Sequence, residues 1–167
     1  LMNKTFSPIR TAFTLTVVML ASTNLFAREA PSPERVVSAG SAVTELIIAL
    51  DAIETLVAVD VTSQLPDDVV LPDVGYHRRL SAEGLLALSP TKVIGSDEMG
   101  PNTTLAQLRS AGIDVEVVNT EANVEGLVTR IDQIATIMHR KERATALKNQ
   151  VKKLSLIHIS EPTRHTR

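Results

Sequence analysis

The run Arg35-Val36-Val37-Ser38-Ala39-Gly40-Ser41-Ala42-Val43-Thr44-Glu45-Leu46-Ile47-Ile48-Ala49-Leu50-Asp51 carries two periodicities back to back. Arg35 to Ala39 is a short, largely apolar segment of the kind that forms a strand buried on both faces, and Gly40 punctuates its end. From Ser41, which has N-cap chemistry, Val43, Leu46, Ile47 and Leu50 recur at helical spacing until Asp51 closes the element. A buried strand that passes through a glycine straight into a helix is the opening of a βα unit.

The pattern repeats downstream. Leu56 to Val59 is a second strand, ending at Asp60, and Pro66 to Pro72 must be loop because each proline removes a donor and restricts its predecessor. Ser81-Ala82-Glu83 opens a short helix with Leu85, Leu86 and Leu88 directed inward, and Ser89-Pro90 ends it. Thr91 to Ile94 is a third strand. Asn102 is positioned to cap a helix through Arg109, and Gly112 stops it where a left-handed residue is wanted. Ile113 to Val118 is the fourth strand, followed by a helix through Leu127, Ile131, Ile134, Ala135 and Met138, then a charged helix from Lys141 toward Leu154. This βαβαβαβα order with right-handed crossovers predicts an α/β fold: a parallel four-stranded sheet with helices on both faces. Ligands of such sheets sit at the carboxyl ends of the strands, where the loops are Gly40-Ser41, Asp60 to Tyr76, Gly95 to Pro101 and Asn119 to Asn123.

Composition agrees. The 167 residues are 44% hydrophobic but only 2% aromatic, with no Trp, so the core is built from Leu, Ile, Val and Ala. A net charge of -2 points to neither nucleic acid nor an anionic membrane surface. The absence of Cys excludes disulfides, Cys-based metal sites and a bacterial lipid anchor. At the N-terminus, Lys4 and Arg10 precede an apolar run from Ala12 to Ala21, and Leu25-Phe26-Ala27 fits a signal-peptidase site. The run is well short of the roughly 20 apolar residues a membrane span needs, so residues 1–27 read as a cleaved signal peptide and residues 28–140 as the exported lobe. At the other end, Ser155-Leu156-Ile157-His158-Ile159-Ser160-Glu161-Pro162-Thr163-Arg164-His165 leaves the helical pattern and resembles the translation of a sequencing adapter. Residues 155–167 are expected to be a non-native or disordered tail, and His158 and His165 are poor metal ligands.

The chemistry is concentrated in Val74-Gly75-Tyr76-His77-Arg78-Arg79-Leu80-Ser81-Ala82-Glu83-Gly84-Leu85-Leu86-Ala87-Leu88-Ser89-Pro90, which sets the only tyrosine, an imidazole and two guanidinium groups beside one glycine. A phenolate oxygen is a hard anionic ligand suited to ferric iron, and tyrosine is one of the haem axial ligands. Neighbouring arginines suit carboxylates such as haem propionates. A half-buried loop aromatic is what Tyr76 would be without those neighbours.

With them, the chain resembles the periplasmic haem-binding proteins of bacterial ABC haem importers, related more widely to vitamin B12 and siderophore binding proteins. The resemblance covers roughly Glu34 to Leu154, carried by Arg35 to Leu46, by the Gly75-Tyr76 to Pro90 run and by Val93-Ile94-Gly95-Ser96-Asp97-Glu98-Met99-Gly100-Pro101; the middle run is the specific one. The resemblance implies that Tyr76 ligates ferric haem iron, that His77, Arg78 and Arg79 contact haem or its propionates, and that haem is delivered to an inner-membrane ABC permease from the periplasm by a monomer. Adjacent arginines on an extended loop point opposite ways, so at most one of Arg78 and Arg79 faces the ligand. Glu83 matches the surface glutamate by which the class docks onto permease arginines; an acid stabilised by the helix dipole would stand in the same place. Family members have two lobes joined by a backbone helix, so this chain is expected to be the N-terminal lobe, with residues 141–154 the start of the connector.

Three other readings are open to the sequence. The scaffold suits cobalamin or a ferric siderophore, with Tyr76 stacking instead of coordinating. Asp97 and Glu98 offer too few oxygens for a hard cation and fit better as a polar loop lining the ligand edge. An enzyme is disfavoured: the Gly40-Ser41 turn lacks the dinucleotide and P-loop patterns, and no nucleophile elbow is visible.

Overall fold

The computed structural model describes residues 33–160; the expected signal peptide and the last seven residues of the tail lie outside them. Four strands form one parallel sheet: β1 (Val36–Ala39), β2 (Leu56–Val59), β3 (Lys92–Ser96) and β4 (Asp114–Val118), in the order β2-β1-β3-β4. Helices α1 (Ser41–Ala49), α2 (Ala82–Ala87) and α3 (Asn102–Ser110) are the crossovers, and α4 (Val124–Ile137) and α5 (Lys141–Ser160) follow β4. The chain steps from β1 to β2 on one side, then crosses back past β1 to β3. The strand order therefore reverses between β1 and β3, which opens a crevice beyond their carboxyl ends.

Strand residues alternate between two cores, as the pleat requires. Val36 and Ile94 face a layer made by Val43 and Ile47 of α1 and Ile131, Ile134 and Ala135 of α4, with Ala144 of α5 completing it. Val37, Ala39 and Val93 face the opposite layer, where Leu85 of α2 and Leu105 and Leu108 of α3 pack. Both faces of the central strands are covered, which explains why β1 and the middle of β3 read as apolar runs, whereas β4 at the sheet edge alternates charged and apolar residues.

The elements agree with the periodicities except that Leu86 of α2 is exposed and not directed inward; β3 runs on through Gly95 and Ser96, which were expected in the loop, and three helix ends depart from the expectation. Gly40 at φ 117° takes the cap position of α1 and starts the turn one residue before Ser41, which is the first helical residue. Pro101 does the same for α3, its ring fixing φ at −72° so that Asn102 is already helical. Neither Ser41 nor Asn102 caps. The third difference is α5, which runs to Ser160 instead of ending near Leu154. Ser155 to Ser160 breaks the amphipathic pattern but contains neither Gly nor Pro, so nothing in the backbone stops the helix before Pro162. Gly112 does stand at φ 83°, the left-handed position expected of it.

Candidate functional site

The loop from Asp60 to Tyr76 does not wander over the surface. Val59 N–H donates to the Pro72 carbonyl (3.1 Å), Val74 N–H to the Val59 carbonyl (3.0 Å) and Val61 N–H to the Gly75 carbonyl (3.0 Å), so residues 72–75 are zipped along the free edge of β2. This delivers Tyr76 to the carboxyl end of the sheet. His77–Arg79 then form a single 3₁₀ turn. It is pinned to the loop after β3 by Gly100 N–H donating to the His77 carbonyl (3.0 Å) and Leu80 N–H to the Gly100 carbonyl (2.8 Å).

A cleft of about 440 Å³ lies beside this turn, beyond β1 and β3. Gly40 to Val43 form one wall, Ser96, Asp97 and Glu98 a second, and His77, Thr120 and Arg130 complete the lining. It sits where the reversal of strand order requires. Arg130 of α4 donates to the Asn119 carbonyl and holds its guanidinium at the rim.

Tyr76 stands outside the cleft lining, 40% exposed, and its ring meets His77 at a centroid distance of 4.4 Å and an interplanar angle of 54°. His77 is the best-held residue of the motif. Its Nδ1 lies 2.8 Å from Asp60 Oδ2, and its side chain is only 12% exposed. The second ring nitrogen, Nε2, faces the cleft 3.8 Å from Glu98 Oε2, too far for a hydrogen bond. Arg78 pairs with Glu98 at the rim. That hydrogen bond, together with the charge of the glutamate, raises the guanidinium above its ordinary value. Arg79 lines a separate shallow depression together with Arg78, Leu80 and Pro101 and makes no side-chain ion pair among the described residues. The expectation that adjacent arginines alternate on an extended loop fails in its premise, because the segment is a 3₁₀ turn; only Arg78 nevertheless reaches the cleft wall.

Glu83 is exposed in the first turn of α2, whose cap is Ser81: its hydroxyl accepts from the Gly84 N–H. Both readings of Glu83 fit that position. His139 is solvated, 78% exposed and 3.9 Å from Glu34. Asp97 and Glu98 line the cleft, and no cluster of three or more metal-ligating side chains occurs among the described residues.

Asp60 is the participant that the sequence reading passed over as the end of a strand. Its side chain is fully buried, yet it accepts from Thr62 Oγ1 (2.7 Å), Ser63 Oγ (2.6 Å) and His77 Nδ1. Burial pushes its carboxyl up, but the hydrogen bonds from Ser63, Thr62, His77 and the Gly40 N–H outweigh this and hold it below the usual carboxylate value. An ionised carboxylate has only acceptors, so the shared proton sits on His77 Nδ1 and Nε2 is left free at the cleft. An aspartate directly after an apolar strand of a parallel sheet, followed by Thr-Ser, was the signal available.

The chain is similar to known proteins. Residues 36–154 match the family described as periplasmic binding protein. Among solved structures, the chain is similar to the periplasmic haem-binding protein HutB of Vibrio cholerae, with 57% identity over 80% of this chain and 52% of that one and a TM-score of 0.76. A periplasmic haem-binding protein from Pseudomonas aeruginosa matches at 40% identity over 72% of this chain and 44% of that one, with a TM-score of 0.69. The apo form of the periplasmic haem-binding protein RhuT from Roseiflexus sp. RS-1 matches at 38% over 72% and 46%, with a TM-score of 0.68. No curated protein matches. The chain spans about half the length of these structures. On the family match, which runs from the first strand into α5, the chain belongs to the periplasmic binding proteins.

Proposed function

We propose that this chain is the N-terminal lobe of the substrate-binding component of an ABC transporter that captures haem in the periplasm and hands it to an inner-membrane permease. It is a binding protein and not an enzyme, with ferric haem as cargo. The observation that carries the reading is the Tyr76–Arg79 segment, held by backbone hydrogen bonds at the carboxyl end of the sheet beside a cleft. The haem-binding structures that share 38–57% identity with the chain support haem over cobalamin or a siderophore.

In this reading Tyr76, exposed and with no side-chain hydrogen bond among the described residues, offers its phenolate oxygen to the iron. Arg78, paired with Glu98 of the cleft lining, is the propionate contact of the motif, with Arg130 of the cleft lining as a second cation; His77 and Arg79 are weaker contacts. Glu83, exposed on α2, is the docking acid toward the permease. Residues 1–27 are the cleaved signal, and α5 from Lys141 begins the connector to a second lobe. The protein acts as a monomer.

Titration of hemin into the full-length protein is the test. The wild type is expected to shift the Soret band on binding, and Tyr76→Phe to lose the iron–phenolate signature with a strong loss of affinity. An unaltered spectrum and affinity in Tyr76→Phe would remove the ligand assignment, and displacement of hemin by cobalamin or a siderophore at equal concentration would replace the cargo.

A further inference from the structure

The buried carboxylate of Asp60 terminates a relay of hydroxyl groups whose directions can be read off. Ser63 Oγ has one hydrogen, and it goes to Asp60 Oδ1 at 2.6 Å. The 2.6 Å contact between Ser63 and Thr44 is then donated by Thr44, and the 2.7 Å contact between Thr44 and Ser38 by Ser38. The alternative direction for Thr44, toward the Gly40 carbonyl, is longer at 3.3 Å. Every hydrogen in the chain therefore points toward Asp60, which also receives Thr62, the Gly40 N–H and His77. Such aligned bonds in a buried site reinforce one another. No buried side-chain polar atom among the described residues lacks a partner, so every buried member of the network is satisfied.

The contrast with Tyr76 is sharp. Tyr76 is exposed, and among the described residues its ring has a single aromatic neighbour, His77, at 4.4 Å. His77 is anchored to a group 17 positions earlier in the chain, on the far side of the Asp60–Tyr76 loop. A ligand that must present one oxygen atom to a metal at a set distance and angle needs its ring orientation fixed before the metal arrives.

We propose that Asp60 is a positioning residue for the cargo site, holding the His77 ring through Nδ1 so that this ring orients Tyr76 toward the iron. The inference rests on Tyr76 being the iron ligand. Asp60 touches neither iron nor porphyrin; it sets the angle at which the phenol is offered and keeps Nε2 of His77 turned to the cleft.

The test is a double-mutant cycle in the full-length protein, read by hemin affinity, rate of hemin loss and the Soret and charge-transfer bands, with the melting temperature of the hemin-free protein measured alongside. His77→Phe keeps a ring against Tyr76 but cuts the tie to Asp60, leaving Asp60 its Thr62, Ser63 and Gly40 donors. It is expected to weaken hemin binding by roughly 10- to 100-fold, as loss of an outer-shell partner does at metal sites. Asp60→Ala is expected to weaken it similarly, Asp60→Asn less because its amide oxygen still accepts from Nδ1, and Asp60→Ala/His77→Phe no more than the worse single variant. A wild-type spectrum and affinity in His77→Phe overturns the proposal, as does an Asp60→Ala loss of the same size in the His77→Phe background as in the wild type. If Asp60→Ala does not fold, Asp60→Asn takes its place in the cycle, and losses that add fully with those of His77→Phe overturn the proposal. Tyr76→Phe separates the two readings: if it binds hemin unchanged, the ligand assignment fails, whereas if it loses hemin while His77→Phe does not, only the positioning role falls.

Discussion

A carboxylate that is fully buried and still ionised makes the site sensitive to acid. Asp60 is held below its ordinary value by its four donors, so the folded form binds the proton less readily than the unfolded chain does. The contribution to stability is therefore complete above the unfolded value of about 3.9 and is lost as pH falls through the still lower folded value. The expected outcome is a melting temperature to which this group makes a full, pH-independent contribution between pH 5 and 8 and which drops below about pH 4, with the acid limb shallower in Asp60→Asn. Melting curves across that range, wild type against variant, check it; parallel limbs would mean that the buried network does not draw on the charge of Asp60.

At the scale of elements, the start of α4 shows how a short segment fixes a long helix. Asn123 caps it, its Oδ1 accepting from the Gly126 N–H at 2.6 Å. Gly126 has no room for a side chain: a Cβ there would lie 2.5 Å from the Glu121 carbonyl oxygen and 2.6 Å from Glu121 Cβ. Asn123→Ala is expected to cost about 1 kcal/mol. Gly126→Ala is expected to cost more, about 1–3 kcal/mol, since backbone must move and the gain in helix propensity is smaller than that. Calorimetry of both variants gives the order, and a Gly126→Ala protein as stable as wild type would show that residues 119–123 yield freely. This segment also carries Thr120 and the Arg130 contacts to the cleft, so the variant with displaced backbone should bind cargo less well.

The same elements mark what was legible in the sequence. Strands and helices with several apolar positions were visible because periodicity accumulates over their length, and the apolar runs of β1 and β3 announced a sheet covered on both faces. Gly40 and Pro101 took the caps from Ser41 and Asn102 because a backbone conformation, and not a side-chain hydrogen bond, starts those helices. The 3₁₀ turn of His77–Arg79 is one turn long and leaves no period to read. Tyr76 was found because its neighbours in sequence are chemically unusual. Asp60 and Arg130 were not, because their partners lie 17 and 11 positions away and only the folded chain brings them together.

Across the whole molecule, two cores share one sheet, and the cleft is built from the ends of that sheet. Val93 and Ile94 are consecutive in β3, both fully buried, and face opposite layers. Ile94→Ala removes more volume and is expected to cost about 2–5 kcal/mol, with Val93→Ala somewhat below it. Against a total stability of about 5–15 kcal/mol, either is a large fraction. Residues 33–160 belong to one compact unit, and β3 is hydrogen-bonded on both sides, so loosening one layer removes the surface against which the other packs. Both variants should therefore lower the midpoint of a single transition in denaturant, with far-ultraviolet circular dichroism and a probe at Tyr76 reporting the same curve. Separate midpoints, with the Tyr76 signal lost before the helical signal in Val93→Ala, would mean that the layer of α2 and α3 unfolds on its own. The site would then rest on half of the structure instead of all of it.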